Sequence, residues 1–319
     1  MTLTNSPEFA VWMMLAGLAA CTVWYDIRLG KHRTPGAAAL LAAALGSLCA
    51  LAGAKFFFLL HDLGANLFDG YFDEITDMDP AMLSFIGGCA GFTGGTALAA
   101  KLSGIRPAKA LDLFAAPGCV FLFLARIAEA GMDMIGMGSD VETPWLRFFP
   151  LTLQNSWGDA YLSVFALEAA WALICLIPAL RTVPERDGAV FARTAVWLLG
   201  AQIGFETLTQ YPYIRTFIYS FVSLEQVLCA VLLLALVIPA CVRNRKWAPA
   251  AATAALLGLS AFFQFYRDNK IELFFEEGWE WALENTKAIS TAAFVLISAG
   301  LVWAGDRALK SPEKQTPKA

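Results

Sequence analysis

The stretch 84–131, SFIGGCAGFTGGTALAAKLSGIRPAKALDLFAAPGCVFLFLARIAEAG, decides the fold. It consists of two apolar spans hinged on a short basic loop holding Lys101, Arg106 and Lys109. The first span carries Gly87, Gly88, Gly91, Gly94 and Gly95, small residues that let helix backbones or a lipid headgroup approach closely. The second ends in Arg126 and Glu129, which at a spacing of three share one helix face. Charge at membrane depth costs about 2.5 to 3.5 kcal/mol per residue on insertion scales, so a charged pair kept there marks a site that does something.

Outward from that pair, the whole chain is built for lipid. Of its 319 residues, 58% are hydrophobic and 16% charged, and the mean hydropathy is +0.58. That balance excludes an ordinary soluble domain. Apolar runs of spanning length fall at 8–25, 37–60, 81–100, 111–130, 161–180, 192–209, 222–242, 249–266 and 287–304. The expected fold is an all-α polytopic membrane bundle of about nine transmembrane helices. MTLTNSPE has no Lys or Arg ahead of the first run and no cleavage signal after it, so the first span is expected to be retained.

Orientation follows from the basic residues. Alternate loops and the tail hold 16 of the 23 Lys and Arg, from Arg28, Lys31 and Arg33 to Arg307, Lys310, Lys314 and Lys318. This predicts the N-terminus outside and the C-terminus cytoplasmic. The loop HDLGANLFDGYFDEITDMDP has six acids and no Lys or Arg, as an outer loop should. The segment 131–160, with Trp145, Phe148, Phe149 and Trp157, is expected at the outer headgroup level, as is 210–221 around Arg215. DNKIELFFEEGWEWALENTK has the spacing of an interfacial amphipathic helix.

Several function classes are excluded. Cys21, Cys49, Cys89, Cys119, Cys175, Cys229 and Cys241 lie within or at the ends of apolar runs and show no C-x-x-C spacing. Neither a disulfide framework nor a zinc site is expected, and the sequence calls for no metal and no cofactor. His32 and His61 are the only histidines, so Ser84, Ser163 and Ser223 have no histidine partner at membrane depth for hydrolase chemistry. No basic and aromatic pattern points to nucleic acid.

The ionisable or strongly polar residues inside the spans are Lys55, Asp112, Arg126, Glu129, Glu168, Glu206, Glu225 and Gln226. One account is mutual neutralisation that fixes helix register. The other is a cavity open to the outer leaflet that gathers Lys55, Arg126, Glu129, Glu206 and Glu225 around an anionic phospholipid, whose phosphate a guanidinium binds bidentately. A proton-coupled transporter using the same glutamates is a third. The span-three glycines serve either helix packing or a phosphate cradle, and they do not form a nucleotide P-loop.

The order of motifs resembles the bacterial prolipoprotein diacylglyceryl transferase family, which moves diacylglyceryl from phosphatidylglycerol onto the lipobox cysteine of a preprolipoprotein. Ala54-Lys55 before three phenylalanines resembles the family's glycine-arginine opening. Ser84-Phe85-Ile86-Gly87-Gly88 resembles its serine-phenylalanine-histidine-glycine-glycine, and Leu111-Asp112 its leucine-aspartate entry to the next helix. Ala125-Arg126-Ile127-Ala128-Glu129 falls where the signature reads glycine-arginine-x-glycine-asparagine. Leu167-Glu168 resembles a tyrosine-glutamate pair, Glu206 a later glutamate, and Ser223 to Leu228 a serine-methionine-glycine-glutamine helix start. The departures are Met13 for tyrosine, Lys55 for arginine, Ile86 for histidine, Glu129 for asparagine and Gln202 for arginine.

The resemblance implies a seven-helix transferase-like domain over 1–242, followed by two additional spans and an outer amphipathic segment over 243–304 and a cytoplasmic polar tail over 305–319. It implies a multi-pass protein of the bacterial inner membrane that binds an anionic glycerolipid through Lys55, Gly87, Gly88, Arg126 and Gln202. Catalysis would fall to Arg126 for the phosphate, with Glu129 or Glu206 as base, and a preprolipoprotein would be the partner. The alternative on the same scaffold is a non-catalytic lipid-binding or assembly protein.

Overall fold

A computed structural model describes residues 6–30, 37–60, 83–132, 136–141, 144–154, 158–211, 216–217, 222–268 and 286–310. The acidic loop 61–80, nearly all of the amphipathic segment 268–287, most of 210–221 and the tail beyond Lys310 lie outside the described residues.

The molecule is a helical bundle: α1 (Pro7–Gly30), α2 (Ala37–Leu59), α3 (Phe85–Leu102), α4 (Pro107–Ala128), α5 (Val164–Ile174), α6 (Leu176–Arg181), α7 (Ala189–Leu208), α8 (Leu224–Asn244), α9 (Ala248–Asp268) and α10 (Thr286–Leu309). Among the described residues, seven spans are long and apolar enough to cross a membrane: α1, α2, α4, the joined α5 and α6, α8, α9 and α10. Their outer faces carry bare apolar side chains, among them Leu40 at 68% and Leu296 at 72% exposure, a surface that only lipid tails or other apolar groups would cover. The chain is a multi-pass membrane protein. In α3 the glycines, and in α7 Arg193, Gln202 and Glu206, lower the apolar content.

Small residues set the closest packing, between α2 and α3. A Cβ on Gly91 would fall onto the carbonyl of Cys49, one on Gly95 onto that of Leu45, and one on Gly87 onto that of Gly53. The glycines at 87, 91 and 95 therefore form a single stripe, four residues apart, along which the two backbones touch. α1 runs along α4, and α10 lies against both α9 and α7. One core joins Ile86 of α3 with Val196, Ile203, Leu233 and Leu301 of α7, α8 and α10.

Polar side chains tie the helices at one end. Asp112 of α4 caps the start of α7, its two carboxylate oxygens accepting from Gly188 N at 2.7 Å and Phe191 N at 2.9 Å. Gly188 holds φ at 90°, a left-handed conformation that suits glycine. Asp306 of α10 pairs with Arg193 of α7 and with Lys310 at 2.9 Å. That pairing carries α10 through Leu309, into the stretch expected as a polar tail.

The opposite end differs from the all-α expectation. Four short strands, β1 (Met137–Asp140), β2 (Thr152–Gln154), β3 (Ala160–Ser163) and β4 (Thr209–Tyr211), form an antiparallel sheet in the order β2-β3-β1-β4. β5 (Thr216–Phe217) and β6 (Val222–Ser223) form a separate antiparallel pair. Met137, Leu153 and Phe165 make a small core beneath the sheet. The span expected at 161–180 thus starts as strand, and its helix breaks at Cys175. Pro178 has no N–H to return to the carbonyl of Ile174, which accounts for the break.

Candidate functional site

Arg126 occupies the last turn of α4, just before the chain tightens into a three-residue 3-10 turn at Glu129–Gly131. Its side chain is 8% exposed. Nη1 donates to Glu129 Oε1 at 2.6 Å, and Nη2 donates to Glu168 Oε1 of α5 at 3.1 Å. Nε lies 3.1 Å from Glu168 Oε2, an ion pair without hydrogen-bond alignment. The guanidinium carbon sits 3.3 Å from the centroid of the Phe85 ring, so one face of the cation is covered as well as its edges.

The polar chain continues from Glu168 into α7. Gln202 Nε2 donates to Glu168 Oε1 at 2.5 Å and to Glu206 Oε1, one turn further on, at 3.0 Å. A fourth carboxylate arrives from the first turn of α8. Glu225 Oε2 accepts from Ile86 N at 3.0 Å, and the Ser84 hydroxyl bonds the same carboxylate. Glu225 therefore sits at the N-terminus of α3, where free N–H groups and the helix dipole favour an anion. Ser84 itself caps α3 by accepting from Gly87 N at 2.9 Å, and Ser223 with Gln226 forms a reciprocal capping box on α8. Two capped helix starts thus hold Glu225 in place.

These groups form the polar end of a cavity of about 880 Å³. Arg126, Glu129, Glu168, Gln202, Glu206 and Glu225 all line it, and much of the remaining wall is apolar, with Phe92, Phe121, Trp171 and Leu232 among it. A pocket with a charged end and a long apolar body fits an amphiphile: headgroup on the polar cluster, hydrocarbon along the rest. Glu129 Oε2 is buried with no hydrogen-bond partner among the described residues. It points toward Gly136, whose φ of 69° and missing Cβ leave room for it.

The structure brings Arg126, Glu129, Gln202 and Glu206 together around the cavity, and Gly88 lines it too. Lys55 and Gly87 are placed elsewhere. The Lys55 ammonium lies 5.1 Å over the Phe58 ring, and Gly87 is spent on the close approach to Gly53. Glu225, expected among the groups around the cavity, lines it, and Glu168, Ser84 and Phe85 belong to the site without being among the residues expected to catalyse or to bind lipid. The two glutamates carried a signal, since each is a carboxylate inside an apolar span. The positions of Ser84 and Phe85 depend on how α3 meets α4 and α8, which no local pattern records.

Comparison with protein-family models, with curated proteins and with solved structures finds no match to this chain.

Proposed function

We propose that this chain is a divergent prolipoprotein diacylglyceryl transferase-like protein of the bacterial inner membrane, taking phosphatidylglycerol or a related glycerophospholipid into the cavity from the outer leaflet. The observation that carries this is the single cavity in which Arg126, two candidate bases and a long apolar wall meet. In this reading the chain crosses the membrane nine times, N-terminus outside and C-terminus cytoplasmic, with the Arg126 end and the sheet facing out. Arg126 takes the lipid phosphate once Glu129 or Glu168 gives way, and its fork suits two phosphate oxygens. Glu129 or Glu206 accepts the proton of the lipobox thiol. The thiolate sulfur then bonds to the glycerol carbon of the diacylglyceryl unit, the carbon–oxygen bond to phosphate breaks, and the headgroup leaves as its phosphate monoester with the negative charge held by Arg126.

A second reading, a non-catalytic lipid-binding or assembly subunit, is favoured by one observation: both edges of Arg126 are already engaged by Glu129 and Glu168. The two separate on turnover. Purified protein is incubated with labelled phosphatidylglycerol and a lipobox peptide, beside Arg126→Lys and Arg126→Ala. Transfer predicts label on the peptide with the wild type and a drop of at least roughly tenfold with Arg126→Lys, which keeps the charge and loses the fork. Arg126→Ala strands two buried carboxylates and loses about 3 to 5 kcal/mol of stability, so the lysine variant carries the comparison. Lipid retained without turnover supports the second reading. Lipid neither retained nor turned over removes both.

A further inference from the structure

The charge balance of the cavity is the reverse of what a purely anionic headgroup needs. Glu129, Glu168, Glu206 and Glu225 line it with Arg126 as their one cation among the described residues. Arg126 pairs with two of the four, and among the described residues Glu206 and Glu225 accept from neutral donors: the Gln202 amide for one, and Ile86 N, Phe85 N and the Ser84 hydroxyl for the other. Buried charge is retained where it is paired, and among the described residues Glu206 and Glu225 have no ion-pair partner. Glu129 adds a buried oxygen, Oε2, with no hydrogen-bond partner among the described residues, on a residue only 9% exposed.

Entry of a ligand sharpens the point. A phosphate that takes Arg126 bidentately competes with Glu129 and Glu168, which already hold the guanidinium, and displaces one of them. An anionic headgroup would then leave the displaced carboxylate bare in an apolar cavity, beside two others already unpaired. A headgroup carrying both a phosphate and an ammonium exchanges ion pair for ion pair: phosphate replaces carboxylate on Arg126, and ammonium meets the carboxylate released. No charge is stranded in the exchange.

We propose that the cavity selects a glycerophospholipid whose headgroup bears an ammonium as well as a phosphate, with the phosphate on Arg126 and the ammonium between Glu206, Glu225 and the displaced carboxylate. This rests on the lipid-cavity reading above and narrows its headgroup.

The test uses the full-length protein in nonionic detergent, offered equal amounts of dioleoyl phosphatidylethanolamine, dioleoyl phosphatidylglycerol and N-acetylated phosphatidylethanolamine, with retained lipid counted by native mass spectrometry at neutral pH. The expected result is retention of the free amine over both other lipids by roughly tenfold, the factor that about 1.4 kcal/mol of selective pairing gives. The double variant Glu206→Gln with Glu225→Gln should lose that preference. Equal retention of the three by the wild type, or a preference for phosphatidylglycerol, overturns the proposal and leaves the lipid cavity standing. Retention of none of them overturns the cavity reading itself. The N-acetylated lipid keeps the phosphate and lacks the ammonium charge, so the wild-type comparison decides even if the variant does not fold.

Discussion

Gly136 shows how much a single position can govern at this site. It sits at φ 69°, where a side chain is disfavoured by about 1 to 2 kcal/mol, and a Cβ there would collide with Glu129 Oε2 and crowd Phe165. Gly136→Ala is therefore expected to lower the melting temperature in detergent and to push Glu129 off Arg126. Thermal unfolding followed by intrinsic fluorescence reads the first effect, and lipid retention reads the second. An alanine variant with unchanged melting and unchanged retention would show that Glu129 is free to move without penalty. Arg126 was legible from the sequence as a cation in an apolar span, and Glu129 as its neighbour on the helix face. Gly136 was not, because its value lies in one backbone angle and in a contact with a residue from another element.

Among the elements, α3 has the composition least suited to an isolated helix, and its stability comes from its neighbours. Glycine costs roughly 1 kcal/mol against alanine inside a helix, and Gly87, Gly91 and Gly95 recover that cost through backbone contact with α2. Gly91→Leu must push the two helices apart at Cys49, an overpacking worth about 1 to 3 kcal/mol. Loss of the folded fraction on detergent size-exclusion checks this, and Gly94→Leu is the control, since a Cβ at Gly94 meets nothing within 4 Å. Most helix positions were legible because twenty or so apolar residues allow few other structures in a bilayer. Among the boundaries that moved, α3 starts at Phe85 behind its Ser84 cap, four residues after the apolar run begins, and Ser163 ends a strand before α5. The sheet itself was hidden, because strands of three or four residues are too short to show alternation, and β1 pairs with β3 and β4 from distant parts of the chain.

At the scale of the whole molecule, two polar clusters fall at opposite ends. The Arg193, Asp306 and Lys310 cluster and the basic loops mark one end, and the sheet and the Arg126 cluster mark the other. If the proposed topology holds, a fluorescent protein fused after Ala319 fluoresces and alkaline phosphatase inserted at Gly158 is active. The reverse pattern in both fusions would invert the topology and place the cavity toward the cytoplasm. The site's gathering of α3, α4, α5, α7 and α8 was not legible from any one span, since each glutamate has meaning only beside the others. Glu225 adds a constraint of time. The N–H of Ile86 finds its acceptor 139 residues later in the chain, so at ordinary translation speeds α3 waits on the order of ten seconds before α8 emerges to complete it. Until then the polar end of the cavity has one wall missing. An aborted chain that stops short of α8 therefore exposes an unfinished, charged pocket at membrane depth, the kind of defect that membrane quality-control proteases can recognise.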